Sequence, residues 1–330
     1  MPPAPPGRRV AIVVLNFNGL ADTLTCLASL CALADPVAGV ILVDNGSAVD
    51  PGPEAARVYP GLEYIATGRN LGYAGGNNRG IERAMAMGVD FILVINNDTT
   101  VDPHILGALL DAFEEDATLG IVGPVVNFMD EPAVVMTDGV AFNPGPGTEF
   151  FKRIPVPVDA AHPVLVPVDI VNGCCMMISA RLVSTVGLFD EEFFIVHEES
   201  DLCLRAGRAG FTCAVLGQSL VWHKGSSAFE RSGRQIQRYF DARNLYHLLR
   251  RHTGRVARSR PWGQSFLHYL KYAFYRYDIE CDAGKTAAAE AVIAGVYDAL
   301  RGRFGGIDQP GRPGLGLLRA ACGAARRFRS

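Results

Sequence analysis

Asn96, Asn97 and Asp98 follow the apolar run at 91–95 in the sequence FILVINNDTT. Five consecutive apolar residues are typical of a buried strand, and the polar residues after it offer oxygen atoms. A hard cation that bridges phosphates needs oxygen ligands, usually including one or two carboxylates. Asp98 supplies a carboxylate, and the two amides suit hydrogen bonds to a sugar or a phosphate. A plain Asn/Asp turn has the same composition, so turn and site both remain open.

A second candidate is the acidic stretch FDEEFFIVHEESD, which holds six carboxylates among the twelve residues 190–201. Like charges packed beside apolar groups raise carboxyl pKa values, as a general base requires. The favourable field at a helix N-terminus accounts for about two of the acids at 198–201, not for all six. The order of residues from His197 to Asp201 is not HExxH, so a zinc protease is not indicated.

Two single residues gain interest from their positions after strands. Asp44 ends the predicted strand GVILVD, where an acid can accept hydrogen bonds from a base or a ribose hydroxyl. The Asn-Gly that follows is also a common turn. His223 follows a strand in VWHKGSS, and a lone histidine is more often structural than a ligand. It becomes a candidate ligand only if it lies beside a cation held by Asp98.

The glycine-rich stretch GRNLGYAGGNNRGI, residues 68–81, opens a predicted helix. Such loops bring backbone N–H groups near phosphate, although a purely structural loop remains an alternative. Gly72 and Gly75 do not have GxGxxG spacing, and Ile279 stands where a P-loop before AGKT requires glycine. A nicotinamide-dependent Rossmann enzyme and a P-loop kinase are therefore disfavoured.

The elements that must position these residues alternate along the first 126 residues. Continuous apolar strands separated by helices predict a parallel sheet covered on both faces. Ligands bind at the carboxyl ends of such strands, where this chain carries NFNG, DNGS, TGRN and NNDT. We expect Asp102 to cap a helix that has Pro103 at its first position and ends near Glu115.

The second half of the pattern is less regular. Residues 127–167 are rich in Pro and Gly and predict an irregular excursion with a hairpin. Ser179 is expected to cap a short helix ending at Gly187, and EESDLCLRAGRAG a longer one. FTCAVL and SLVWH are predicted as two strands, and the sequence becomes helical from about residue 235.

The charge of the chain is unevenly distributed. Residues 1–230 contain 12 Lys and Arg against 27 Asp and Glu, whereas residues 231–330 contain 19 against 7. Eight scattered cysteines without a CxxC pair favour a reducing compartment over a zinc or disulfide framework. The leader MPPAPPGRR lacks an apolar segment, and no apolar run approaches the length of a membrane span. We therefore expect a soluble, cytoplasmic protein, with peripheral contact on the inner face of the plasma membrane as a variant.

Seven stretches resemble, in sequence and in order, the motifs of family 2 glycosyltransferases with the GT-A fold, and are most similar to the bacterial rhamnosyltransferase-like branch. They are VAIVVLNFNG, ILVDNGS, NLGYAGGNNRGI, FILVINNDT, VNGCCMMISARLVSTVGLFDEEFF, EESDLCLRAGRAG and VWHKGSS. The resemblance implies an α/β, Rossmann-like, mostly parallel sheet with helices on both faces. The resemblance covers a GT-A domain at 9–228. Composition alone predicts a flexible leader at 1–8 and a basic helical C-terminal extension at 229–330, which lie outside the resemblance. Within the domain, 9–126 would be the donor-nucleotide half and 127–228 the acceptor half.

The resemblance also implies roles for individual residues. Donor-binding positions are Asn16, Asp44, Asn70, Gly72, Asn78, Asn96 and Asn97. Metal-binding positions are Asp98 and His223, for Mg²⁺ or Mn²⁺, although Asn96 replaces the first acid of the family's DxD motif. Catalytic positions are Glu199 as the base, with Glu198 and Asp201 beside it. Most relatives have Asp at the base position, and Glu is one methylene longer.

The implied reaction is an inverting, metal-dependent hexosyl transfer (class EC 2.4) from a nucleotide-diphosphate sugar. By resemblance the donor is dTDP-rhamnose, with UDP-sugars open, and the acceptor is a glycan or polyprenyl-linked sugar of the cell envelope. The alternatives are a decayed GT-A scaffold that binds nucleotide without turnover and, ranked lower, a nucleotidyltransferase. The basic, aromatic C-terminal segment suits an anionic membrane surface, and solvated arginines are the alternative. No nucleic-acid-binding module is recognised.

Overall fold

The computed structural model describes residues 8–144, 149–225, 233–253, 262–307 and 311–327. Residues 1–7 of the predicted leader lie outside this part of the chain. The chain divides into two compact units. Unit 1 comprises residues 1–141, 153–190 and 199–227, and unit 2 comprises residues 142–152, 191–198 and 228–330. The boundary expected at 228 and 229 falls among residues outside the description, so it stays a prediction.

Twelve strands are formed by the described residues. They are β1 (Val10–Asn16), β2 (Gly39–Asp44), β3 (Glu63–Ala66), β4 (Phe91–Asn96), β5 (Thr99–Val101), β6 (Leu119–Phe128), β7 (Val135–Thr137), β8 (Gly139–Phe142), β9 (Phe151–Ile154), β10 (Leu165–Val168), β11 (Cys175–Ser179) and β12 (Thr212–His223). Ten of them form one sheet in the order β10-β12-β6-β11-β4-β1-β2-β3, with β5 beside β12 and β7 beside β6. Strands β8 and β9 pair separately.

Ten helices accompany these strands in the same part of the chain. They are α1 (Leu20–Leu30), α2 (Gly52–Val58), α3 (Gly72–Ala86), α4 (Ile105–Glu115), α5 (Ala180–Val186), α6 (Glu198–Arg208), α7 (Arg234–His252), α8 (Trp262–Asp282), α9 (Thr286–Leu300) and α10 (Leu315–Arg327). None of the helices described is long and apolar enough to cross a bilayer.

The side chains of β1 show why helices cover both faces of the sheet. Ile12 and Val14 lie in a buried cluster with residues of α1 and α4. Val13 and Leu15 point the opposite way, because successive side chains of a strand alternate between faces. There they meet α3, whose Gly80 and Gly76 leave room for the close approach. The predicted two-sided α/β sheet is confirmed.

The sheet is parallel through β3, β2, β1 and β4, and again between β6 and β12. Strand β11 is inserted antiparallel between β4 and β6. The stretch VDIVNGCCMMIS therefore returns to the middle of the sheet, as its continuous apolar character requires. The excursion at 127–167 contributes the short strands β7 to β10.

Two local predictions are wrong. Helix α4 begins at Ile105, not at Pro103, because Asp102 forms a tight turn before it. The Asp102 side chain accepts a hydrogen bond from the His104 N–H at 2.8 Å, and the Asp102 carbonyl accepts one from the Ile105 N–H at 3.2 Å. FTCAVL and SLVWH form the single strand β12, whose pairing with β6 shifts register around 216–221. The extra residues at this irregularity interrupt the apolar pattern, so that one strand was predicted as two. The caps predicted at Ser179 and Gly187 are present.

In unit 2, α7 and α9 cross closely, with Gly295 of α9 against the backbone of Tyr239. Buried polar groups connect the helices. The Arg238 guanidinium donates to Glu280 at 2.6 Å, and the Tyr269 hydroxyl donates to the carbonyl of Ala242 at 2.8 Å. The helical character predicted for the C-terminal hundred residues is therefore observed in the residues described.

Candidate active site

The carboxyl ends of β1, β2 and β4 lie side by side. Asn16 pairs with Asp44 across the first two strands, and Leu15 pairs with Asn96 across the first and fourth. Parallel pairing therefore brings the polar residues that follow each strand to one edge of the sheet, as the sequence predicted.

The Asn16 side chain is buried, and its hydrogen bonds go to protein groups. Its amide nitrogen donates to Asp44 Oδ1 at 2.9 Å and to Ser47 Oγ at 3.0 Å. Its amide oxygen accepts from the Gly19 N–H at 3.1 Å and from the Thr23 hydroxyl at 2.9 Å. Because an asparagine amide has two donor hydrogens, both are used. Asn16 therefore orients the Asp44 carboxylate.

Asn97 is committed in a similar way. Its amide nitrogen lies 2.9 Å from the Thr23 hydroxyl, 3.2 Å from the Gly19 carbonyl and 3.3 Å from Asn16 Oδ1. These contacts connect the end of β4 to the start of α1. The amide nitrogen of Asn97 therefore binds the β1–α1 turn, and the donor-binding role of this residue stays a prediction.

Asp98 and His223 are brought together although 125 residues separate them. The Asp98 Oδ1 atom lies 3.0 Å from His223 Nε2, and both side chains are mostly buried. Strand β5 pairs antiparallel with β12, so that Thr99 stands opposite His223. The Lys224 N–H also donates to the Asp98 carbonyl at 3.0 Å. A carboxylate oxygen and an imidazole nitrogen therefore converge on one point.

Lys224 adds a positive charge beside this pair. Its ammonium group donates to Asp22 Oδ1 at 2.6 Å, and this hydrogen bond raises the pKa of Lys224. Asp22 immediately precedes Thr23, which takes part in the contacts of Asn16 and Asn97. The Lys224 ammonium group therefore lies at the same edge of the sheet.

Asn96 differs from its two neighbours. Its backbone N–H donates to the Cys174 carbonyl, and its own carbonyl accepts from the Thr99 hydroxyl. Its side-chain amide makes no hydrogen bond to any residue in the described ranges. Asn96 is only partly buried.

Asn45 holds the glycine-rich stretch, and the sequence analysis did not assign it a role. Its amide nitrogen donates to Asn70 Oδ1 at 3.1 Å and to the Gly72 carbonyl at 2.9 Å, and its oxygen accepts from the Leu71 N–H at 2.9 Å. Gly72 has φ of +76°, a conformation that favours glycine. The signal was present in DNGS, but an Asn-Gly pair alone indicates only a turn.

Asn78 lies on the same helix but contacts a different loop. Its amide donates to the Phe189 carbonyl at 2.9 Å and accepts from the Phe189 N–H at 3.1 Å. The side chain is buried, so it fixes the chain ahead of the acidic stretch. These two hydrogen bonds connect Asn78 to Phe189 and not to Asn16, Asp44 or Asn97.

Glu199 packs against the segment that precedes β11. A side chain added at Gly173 would approach Glu199 Cβ at 3.3 Å and the Tyr73 hydroxyl at 3.4 Å. Tyr73 donates to the Gly173 carbonyl at 2.5 Å. The neighbouring Cys174 thiol has a raised pKa, first because it is buried and further because it feels the charges of Asp98 and Glu199. Glu199 and Asp98 therefore flank the same short segment.

The other two predicted catalytic acids are buried. Asp201 has no exposed surface and forms a 2.7 Å ion pair with Arg205, which in turn donates to the carbonyls of Val186 and Leu188. Glu198 is only 4% exposed. Both thus differ from Glu199, which is partly accessible, and the Asp201 pair stabilises the turn after α5.

Known proteins resemble this chain in both sequence and fold. Residues 11–173 match the model of glycosyl transferase family 2. The N-acetylglucosaminyl-diphospho-decaprenol L-rhamnosyltransferase of Mycobacterium tuberculosis is 29% identical over 233 residues, 64% of this chain and 75% of the relative. The dTDP-rhamnosyl transferase RfbF of Shigella flexneri is 24% identical over 302 residues, 89% of this chain and 96% of the relative.

Two solved structures share the fold at low identity. Residues 1–349 of S. aureus TarS give a TM-score of 0.56 at 14% identity, covering 98% of this chain and 92% of that one. The mannosyltransferase PcManGT of Pyrobaculum calidifontis, solved with GDP-Man and Mn²⁺, gives 0.51 at 17% identity, covering 97% and 80%. These similarities confirm the predicted GT-A fold.

The fold and the named relatives together define an enzyme of the glycosyltransferase class. Residues 11–173 are thus similar to glycosyl transferase family 2, and two of the relatives are named rhamnosyl transferases.

Proposed function

We propose that this enzyme transfers a sugar, with inversion, from a nucleotide-diphosphate donor to a glycan or lipid-linked acceptor. The observation that carries the proposal is the convergence of Asp98 and His223 at 3.0 Å, at the sheet edge where Asp44 is also oriented. Glu199 lies beside the same segment, at Gly173, and can serve as the base for a substrate bound there.

A divalent cation fits this pair chemically. A carboxylate oxygen suits Mg²⁺ or Mn²⁺, and the imidazole nitrogen beside it favours Mn²⁺, since Mg²⁺ prefers oxygen ligands. Asp98 and His223 would hold the ion, and PcManGT was solved with Mn²⁺. When bound, the cation supplies Lewis acidity that neutralises charge developing on the leaving diphosphate. With one carboxylate instead of two, this chain offers a weaker site than a complete DxD motif.

The chain's own residues account for the remaining steps. Asp44, oriented by Asn16, accepts hydrogen bonds from the nucleoside. Glu199 takes the proton from the acceptor hydroxyl as that hydroxyl attacks the anomeric carbon from the face opposite the diphosphate. Attack from that face inverts the anomeric centre. Holding both substrates in this geometry supplies much of the rate enhancement.

The donor that we propose is dTDP-rhamnose, and the acceptor is a polyprenyl-diphosphate-linked sugar. The support is the printed activity of two relatives, one a dTDP-rhamnosyl transferase and one a rhamnosyltransferase acting on a diphospho-decaprenol substrate. UDP-sugars are the alternative donors, and S. aureus TarS, which shares the fold, was solved with UDP-GlcNAc.

A thermal-shift experiment with dTDP and UDP, each with and without Mn²⁺, tests the donor and the cation together. We expect dTDP with Mn²⁺ to raise the melting temperature most, since a ligand that binds only the folded state stabilises it by mass action. A shift selective for UDP would overturn the rhamnose assignment.

Two variants test Asp98 and Glu199 separately. In the thermal-shift experiment, Asp98→Ala should abolish the Mn²⁺-dependent part of the shift. In turnover measurements, Glu199→Ala should lower kcat by about 10²–10⁴-fold while nucleotide binding is retained. Nucleotide binding by the unmodified enzyme without transfer from any donor would instead favour a decayed scaffold. Full turnover by Glu199→Ala would show that another group is the base.

A further inference from the structure

The residues just before Glu199 have an unusual backbone conformation. Phe194, Val196 and His197 have φ angles of 64°, 74° and 75°. Positive φ is uncommon outside glycine and is a marked outlier for a β-branched residue such as valine. Such a conformation persists only where the surrounding structure imposes it. The segment 191–198, here called the base-proximal loop, leads directly into α6, whose second residue is Glu199.

Asn244 of α7 binds the carbonyls of this loop. Its side-chain amide nitrogen lies 2.8 Å from each of the backbone oxygens of Phe193, Ile195 and Val196. The Asn244 side chain has no exposed surface, so water does not compete for these bonds. The backbone turns thus direct three carbonyl groups of the loop towards one side-chain amide.

Arg243 supports the same arrangement from the next position. Its Nη2 atom lies 3.1 Å from the Glu192 carbonyl and 3.0 Å from the Phe193 carbonyl, and its Nε donates to Asn244 Oδ1 at 2.9 Å. Because Arg243 holds the Asn244 amide oxygen, the Asn244 amide nitrogen is directed towards the loop. The guanidinium also lies over the Phe240 ring, 4.7 Å from its centre.

A third residue of the same helix reaches the loop's last turn. Asp241 Oδ1 lies 3.3 Å from His197 Nε2, and the Tyr272 hydroxyl donates to Asp241 Oδ2 at 2.8 Å. Burial acts to raise the pKa of Asp241, but the hydrogen bonds from His197 and Tyr272 outweigh it and lower the pKa. Asp241 is therefore an ionised partner for His197, whose ring also stacks on Phe151 at 5.0 Å.

We infer that Asn244 and Arg243 are positioning residues for the catalytic base: they impose the left-handed turns of the base-proximal loop and so set the start of α6 that carries Glu199. This inference rests on the proposed function, in which Glu199 is the base. It gives α7, outside the region that matches the family model, a task in catalysis as well as in folding. Asp241 contributes through His197.

Asn244→Ala removes the three bonds without introducing a charge. A displacement of about 1 Å at a reacting group can lower the rate on the order of 10²-fold, and we expect a loss of that size in kcat. The affinity for dTDP with Mn²⁺, measured by calorimetry, should stay unchanged, because the nucleotide-binding residues lie on other elements. Tyr269→Phe is the matched control, since it removes one buried hydrogen bond to α7 that does not involve the loop.

A double-mutant cycle separates positioning from general destabilisation. If Asn244 acts through Glu199, Asn244→Ala should cost nothing further in residual kcat when Glu199→Ala is already present. Equal losses with and without Glu199, a loss in Tyr269→Phe as large as that in Asn244→Ala, or full activity of Asn244→Ala would each overturn the inference. Should the alanine variant not fold, Asn244→Asp keeps the size and the acceptor for Arg243 and is expected to show the same loss.

The two proposals fail differently in this experiment. Full turnover by Glu199→Ala removes the base assignment, and the positioning role falls with it. Loss of turnover by Glu199→Ala together with full turnover by Asn244→Ala leaves the proposed function intact and contradicts the positioning role alone.

Discussion

Among single residues at the edge of the sheet, Asn96 is the position that best tests the proposed cation site. It follows β4 directly, is partly accessible and makes no hydrogen bond to the described residues, whereas Asn97 beside it is bound to the β1–α1 turn. A carboxylate at this position would meet no existing partner that it must displace. The position is therefore suited to a substitution that adds a second carboxylate to the proposed cation site.

Asn96→Asp restores the first acid of the motif, and we expect it to bind Mn²⁺ roughly tenfold more tightly, because cation affinity follows the number of charged ligands. The measurement is Mn²⁺ titration in the presence of dTDP. Asn97→Asp is the comparison, and it should fold less well because a carboxylate cannot donate to Thr23 and the Gly19 carbonyl. Unchanged Mn²⁺ affinity in Asn96→Asp would place the cation elsewhere.

The polar residues could be predicted as a set but not by role. Residue type and position after a strand identified Asp44, Asp98 and His223, and the structure brings the last two into contact. The family resemblance implied a donor-binding role for Asn16, and this role stays a prediction. Its amide makes hydrogen bonds to Asp44, Ser47 and Thr23, which the sequence did not indicate. The hydrogen-bond partners of an asparagine depend on which loops meet around it in the fold, and residue type alone does not predict them.

Among elements, the packing of α3 on β1 depends on missing side chains. A Cβ at Gly80 would lie 2.3 Å from Val13 Cγ1, and one at Gly76 would lie 2.4 Å from Leu15 Cδ1. The helix carries the glycine-rich stretch to the edge of the sheet, so its distance from β1 also sets the position of Gly72. Glycine serves close packing here in addition to the turn.

Gly80→Ala should destabilise the fold by about 1–3 kcal/mol, because overpacking against the stiff Val13 side chain outweighs the gain in helix propensity. Urea denaturation measures the change. Gly207→Ala on α6 is the matched control, since nothing lies within 4 Å of its added Cβ, and it should stabilise by roughly 0.5 kcal/mol. Equal responses of the two variants would contradict the packing explanation.

Element prediction succeeded where a pattern is local. Continuous apolar runs located β1, β2 and β4, and the Ser179 and Gly187 caps bounded α5. The insertion of β11 between β4 and β6 was not foreseen, because the partner of a buried strand is chosen by long-range pairing. The base-proximal loop was equally hidden: it depends on Asn244, about fifty residues further along the chain.

For the whole molecule, the uneven distribution of charge along the chain leads to a testable prediction about membrane binding. Residues 231–330 carry a net charge of +12 after their own acids are counted, opposite in sign to the rest. Several of their arginines form ion pairs, including Arg312 with Asp298 at 2.7 Å, but the excess persists. Each basic residue near an anionic bilayer contributes on the order of 1 kcal/mol at low salt.

We therefore expect the 330-residue chain to sediment with phosphatidylglycerol vesicles at 50 mM salt. It should be released as salt rises, because the Debye length shortens from about 10 Å at 0.1 M to about 3 Å at 1 M. Phosphatidylcholine vesicles are the control. Absence of sedimentation with the anionic vesicles at low salt would favour solvated arginines that have no membrane role.

The membership of unit 2 has a practical consequence for protein engineering. This unit unites the C-terminal hundred residues with two short segments, 142–152 and 191–198, taken from the middle of the chain. A chimera that exchanges the C-terminal region between two relatives with one junction near residue 228 would separate Asn244 from the loop whose carbonyls it binds. Acceptor-swapping libraries should therefore transfer all three segments together, with five junctions instead of one.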